Sequence, residues 1–122
     1  MSLTSTSASN PFAAEFAVET VNNGSASKRV FGNQSVVLRY VGMTAGVGEV
    51  NYVKLYEDGE PTVGTDAPDF IFEIDASAET ERICVSGHTG ADFSTAAVQE
   101  AGTGGTTAPT NALVTRLIAG PV

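Results

Sequence analysis

Residues 50–75, VNYVKLYEDGEPTVGTDAPDFIFEID, constrain the fold more than any other stretch of the chain. Val53 and Leu55 lie two residues apart, and so do Phe70, Phe72 and Ile74. Each run therefore offers one apolar face at the period of a β-strand. Between them Gly59, Pro61, Gly64 and Pro68 break the pattern, because none of these residues continues a strand comfortably. Two strands joined by a structured loop are expected here. The segment predicts β-architecture and contains no arrangement of reactive groups.

The same reading gives about seven strands in all, over residues 14–21, 34–41, 50–57, 69–75, 80–86, 93–99 and 111–118. In the second, Val36, Leu38 and Tyr40 share one face, and Val37, Arg39 and Val41 share the other. Both faces carry β-branched or aromatic side chains, which suits a central strand. In the fifth, Ile83 and Val85 are expected inward, opposite Arg82 and Cys84. Asn22-Asn23-Gly24-Ser25 reads as a turn, as do the glycine-rich stretches 42–48 and 102–105. The best helical candidate, 94–100, is too short to stand as a helix without a cap. The expected fold is a single-domain, all-β, antiparallel β-sandwich or jelly roll.

The domain is expected over residues 13–122. Residues 1–12 are mostly Ser, Thr and Ala and bury little, so they read as a flexible N-terminal arm. If that arm orders against a neighbouring subunit, Leu3, Pro11 and Phe12 are its anchors. Cys84 is the only cysteine among the 122 residues, so no disulfide closes within the chain. A core large enough to need none is expected at this length.

Six basic against fourteen acidic residues give a net charge of −8, with a pI near 4.3. Such a chain is repelled by nucleic acid and by anionic membranes. No apolar run reaches the roughly 20 residues of a membrane helix, and the N-terminus lacks the pattern of a signal peptide.

Few residues suggest chemistry. His88 is the only histidine, and reads as a loop residue between Gly87 and Gly90. A triad drawn from Ser86, His88 and Asp92 has no nucleophile elbow to support it. Cys84 sits between Ile83 and Val85 and reads as a small buried hydrophobe. The acids Glu57, Asp58, Glu60, Asp66 and Asp69 could offer oxygens to calcium, but their spacing fits no EF-hand. The glycine-rich stretches lack the Gly-Lys-Ser/Thr ending of a phosphate loop. Glu73 and Asp75 are the only pair considered for a glycosidase. No catalytic residue, cofactor or metal is therefore expected. Tyr52 and Tyr56 share a strand face with Lys54, and are candidates either for a subunit contact or for packing within the sandwich.

The run Tyr52-Val53-Lys54-Leu55-Tyr56, with Pro61-Thr62-Val63-Gly64-Thr65-Asp66 and Pro68, resembles a recurrent pattern in small virion proteins of tailed bacteriophages. Gly90, Phe93 and the stretch from Thr106 to Ile118 extend the likeness over a little more than half of the chain. Residues 75–81 depart from it, being more charged than the pattern's turn. The resemblance implies a virion structural protein without catalytic residues. Within that setting an acidic β-domain suits a decoration, or cement, protein. It would sit on the outer capsid surface, bind the major capsid protein and bridge its subunits, with itself as a further partner in a homotrimer. The alternative is a tail-associated or receptor-binding structural module.

Overall fold

The computed structural model describes residues 2–8, 15–22, 26–31, 35–44, 48–75, 80–90 and 92–122. Nine strands are found among them: β1 (Ser2–Ala8), β2 (Glu15–Asn22), β3 (Lys28–Arg29), β4 (Val36–Thr44), β5 (Asn51–Tyr56), β6 (Phe70–Ile74), β7 (Thr80–Gly90), β8 (Ser94–Val98) and β9 (Leu113–Pro121). They form two sheets, ordered β1-β2-β9-β4-β7 and β3-β8-β5-β6, and the pairings are antiparallel. The all-β sandwich is thus present, and β2 and β4–β9 correspond to the seven expected strands.

The core lies between the sheets. Val36, Leu38, Val41 and Met43 of β4 and Leu113, Leu117 and Ala119 of β9 meet Val53, Leu55, Ile74 and Ala97 from the other sheet in one cluster. Phe31 and Phe93 close one part of it, edge to face, with ring centroids 6.4 Å apart. Burying an aliphatic side chain of this size stabilises by about 1.5–3 kcal/mol.

Three expectations are corrected. Tyr40 does not share a face with Val36 and Leu38. The register shifts between Leu38 and Tyr40 against both β7 and β9, so the buried set runs Val36, Leu38, then Val41 and Met43. An extra residue in a strand inverts the alternation beyond it, and the exposed Arg39 is that residue. Tyr40 instead lies over Gly42, where an added Cβ would come 2.5 Å from its hydroxyl.

The strand expected over residues 93–99 is β8, Ser94–Val98, and it is buried along its whole length. His88, expected in a loop, lies within β7 at the position paired with Leu38. The strand passes Gly87 with a φ of 76°, a backbone state that glycine adopts without steric cost. Finally, Ser2–Ala8, within the segment read as a flexible arm, is an edge strand paired with β2 from Ser2↔Val21 to Ala8↔Glu15. The arm reading weighed side-chain burial, whereas an edge strand is also held by its backbone ladder.

Charge is divided between the sheets. Strands of the five-stranded sheet carry Glu15, Glu19 and Glu81 against Arg39, Arg82 and Arg116, which balance. The four-stranded sheet and its adjoining loops carry Glu49, Glu57, Asp58, Glu60, Asp66, Asp69, Glu73, Asp75, Asp92 and Glu100 against Lys28, Arg29 and Lys54. Nearly all of the net charge of −8 lies on that side.

Candidate functional site

Side chains of known position that could carry chemistry gather on the outer side of the four-stranded sheet. Here β5 pairs with β8, Tyr52↔Val98, Lys54↔Ala96 and Tyr56↔Ser94. Outward positions of a sheet normally meet water, yet Lys54, Tyr56, Ser94, Ala96 and Val98 are all buried. Two loops, 57–69 and 99–112, account for this. They touch at Gly64, where an added Cβ would lie 2.4 Å from the Thr106 methyl. The φ of Gly64 is 92°.

Lys54 anchors the second loop. Its Nζ donates to the carbonyls of Gly102 at 2.8 Å, Gly105 at 3.1 Å and Thr103 at 3.4 Å. A lysine ammonium has three hydrogens, so each finds an acceptor. The same turn is closed by Gly105 N–H donating to Gly102 O at 3.1 Å. Burial pushes the Lys54 ammonium below the ordinary lysine range, while the charge of Glu100 opposes that shift. A lysine with depressed pKa can act as a nucleophile. This one is fully covered and engaged on all three hydrogens, so its role is to hold the loop.

Glu100 completes the tie. It accepts from the Thr107 hydroxyl and from the Thr107 backbone N–H at 3.1 Å. These contacts, the hydroxyl first, lower its carboxyl pKa. Gln99 N–H donates to Thr107 O at 2.9 Å, and Gln99 Nε2 donates to Ala108 O at 2.7 Å. Nearer the loop's end, Thr110 N–H donates to Glu49 Oε1 at 2.8 Å. The Thr110 side chain is the chief cause of a lowered Glu49 pKa, and this backbone contact lowers it to a lesser degree.

In loop 57–69 the carboxylates serve the backbone. Asp69 Oδ2 accepts from Glu57 N–H at 2.6 Å, Asp58 Oδ1 from Glu60 N–H at 2.9 Å, and Asp66 Oδ2 from Thr62 N–H at 2.8 Å. These are three of the five acids that could offer oxygens to calcium, and their geometry is that of side chains capping turns. Among the described residues no three His, Cys, Asp or Glu side chains converge as metal ligands. Asp92, a member of the possible triad, is paired with Arg29 at 3.0 Å. A Cβ at Gly59 would lie 2.0 Å from an Arg29 nitrogen and 2.2 Å from Asp92 Oδ2, so the bare glycine lets the ion pair close over the loop.

The proposed contact residues are scattered. Tyr56 is buried, and its hydroxyl has no hydrogen-bond partner among the described residues. It packs inside the molecule and is not presented to a subunit. Its pKa is raised by burial, and further by the nearby charge of Asp66. Tyr52 is half-buried. Leu3 lies in β1 at the position paired with Thr20, on the far edge of the other sheet. Pro11 and Phe12 lie outside the described residues.

No family model, curated protein or solved structure matches the chain. The Lys54 tie was the feature missed in the sequence. A lysine between Val53 and Leu55 marks an outward position, and only the cover provided by loop 99–112 turns it into a buried one.

Proposed function

We propose that this protein is a decoration, or cement, protein of a tailed-bacteriophage head. It sits on the outer surface of the shell as a homotrimer and bridges neighbouring major capsid subunits. The observation that supports this best is the use of charged groups in the loop platform. Lys54, Glu100, Asp58, Asp66 and Asp69 hold backbone groups of the molecule's own loops. What they build is a braced surface suited to binding. The sequence pattern around Tyr52–Tyr56 and Pro61–Pro68 supplies the virion setting. An acidic surface favours the outside of the shell, since the inner wall faces packaged DNA.

Modest contacts per copy suffice when symmetry repeats them over a shell. The test is the copy number and radial position of the protein in purified particles. Copies on the order of hundreds at the outer radius are expected for a shell-wide repeat. An inner-wall position overturns the reading, and a small complement at the tail replaces it with a tail-associated module.

A further inference from the structure

The outward positions of the five-stranded sheet are more apolar than a face meeting only water would be. Along β9, Leu113, Thr115, Leu117 and Ala119 are buried, so Val114, Arg116, Ile118 and Gly120 lie on the outer face. Across the ladder these positions pair with Thr44, Gly42, Tyr40 and Val37 of β4. Val37, Tyr40, Val114 and Ile118 are half-buried, and Arg39 and Arg116 are exposed. The middle of the face is flat. Tyr40 lies over Gly42, and Arg39 lies over Gly120, where an added Cβ would come 3.0 Å from its Nε. Apolar side chains on a flat surface with charged groups beside them suit a contact with another protein.

Charge decides which protein fits. The strands of this sheet carry Glu15, Glu19 and Glu81 against Arg39, Arg82 and Arg116, so acids and bases balance. Two copies that approached by their four-stranded sides would bring like charge to like charge. Their five-stranded sheets meet without that repulsion. The register also sets Glu19, Arg116, Gly42 and Arg82 in one row. In the order β1-β2-β9-β4-β7, the acid of that row stands toward one side of the sheet and Arg82 at the other. Copies meeting head to tail therefore bring opposite signs together, and such a contact can close into a ring.

We propose that copies of this chain meet through the outer face of the five-stranded sheet, with the acidic sheet and its loop platform turned away from the contact. This deepens the homotrimer of the proposed function and rests on that reading. The protein's place in a particle is a separate matter with its own test.

The test is sedimentation of the full chain over a concentration series reaching about 1 mM. The chain should associate, and Ile118→Lys should raise the dissociation constant by about tenfold or more. Ile71→Lys, at an exposed position of the four-stranded sheet, should leave it within about twofold. Glu19→Lys and Arg82→Glu should each weaken association, and an equal mixture of the two variants should restore it. A misfolded variant could not take part in that rescue. A trimer unaffected by Ile118→Lys, or a mixture that fails to recover, overturns this surface and leaves the homotrimer standing. A chain that stays monomeric throughout overturns both. A dimer weakened by Ile118→Lys supports the surface and overturns the threefold count.

Discussion

Lys54 makes three hydrogen bonds to carbonyls of a single turn, and methionine, of similar length, can make none of them. Hydrogen bonds from a charged donor contribute about 1.5–3 kcal/mol, while keeping an ammonium away from water takes part of that back. Lys54→Met should therefore lower stability by about 1–2 kcal/mol. Urea denaturation measures the loss, and amide exchange should quicken first at Gly105 and Gln99, whose N–H groups close the loop. Tyr56 gives the opposite case. Its buried hydroxyl has no partner among the described residues, so Tyr56→Phe should leave stability at neutral pH unchanged or raise it by up to about 1 kcal/mol. Its folded-state pKa lies above the ordinary 10.0. Above pH 10.0 the unfolded chain releases this proton more readily than the folded chain, so stability falls as pH rises through that range. Tyr56→Phe should remove this component of the fall, as read from the urea midpoint against pH. The depressed Lys54 pKa works in the other direction: below 10.5 the unfolded chain keeps a proton that the folded chain has lost, and stability rises with pH there.

At the scale of elements, the two loops differ in what their glycines do. Gly64 combines a φ of 92° with the Thr106 methyl at 2.4 Å from an added Cβ. Gly64→Ala should cost about 1–3 kcal/mol, whereas Gly104, with nothing within 4 Å, should accept alanine with no loss. Thermal melts of the two variants side by side check the contrast. Strand positions were legible from alternation because one face of each strand must meet the core. Val53 with Leu55, and Phe70 with Phe72 and Ile74, announce that face without help from neighbours. The face of Tyr40 was not legible. An inserted residue at Arg39 leaves both halves of β4 apolar, and only pairing with β7 and β9 reveals the shift. Strand β8 looked weak for a related reason. Ser94, Ala96 and Ala97 have low strand preference, but their small size suits a strand covered by the core on one side and by loops on the other. The buried state of Lys54 depends on a loop more than forty residues away in sequence, beyond the reach of any local pattern.

At the scale of the whole molecule, the uneven charge opposes folding. Ten acidic groups against three basic ones crowd the four-stranded side, and their mutual repulsion is relieved when the chain expands. Added monovalent salt screens exposed charges beyond about 8–10 Å near physiological strength. The melting temperature should therefore climb with sodium chloride from low ionic strength. A fall would mean that attractive pairs such as Arg29–Asp92 dominate. The same division of charge gives the molecule a preferred heading. On an anion-exchange resin most copies should adsorb with the four-stranded sheet turned toward the beads, leaving the balanced sheet toward the mobile phase. Retention time then becomes a measure of one side of the protein: neutralising Glu60 should bring elution forward more than neutralising Glu19, although each change removes one unit of charge.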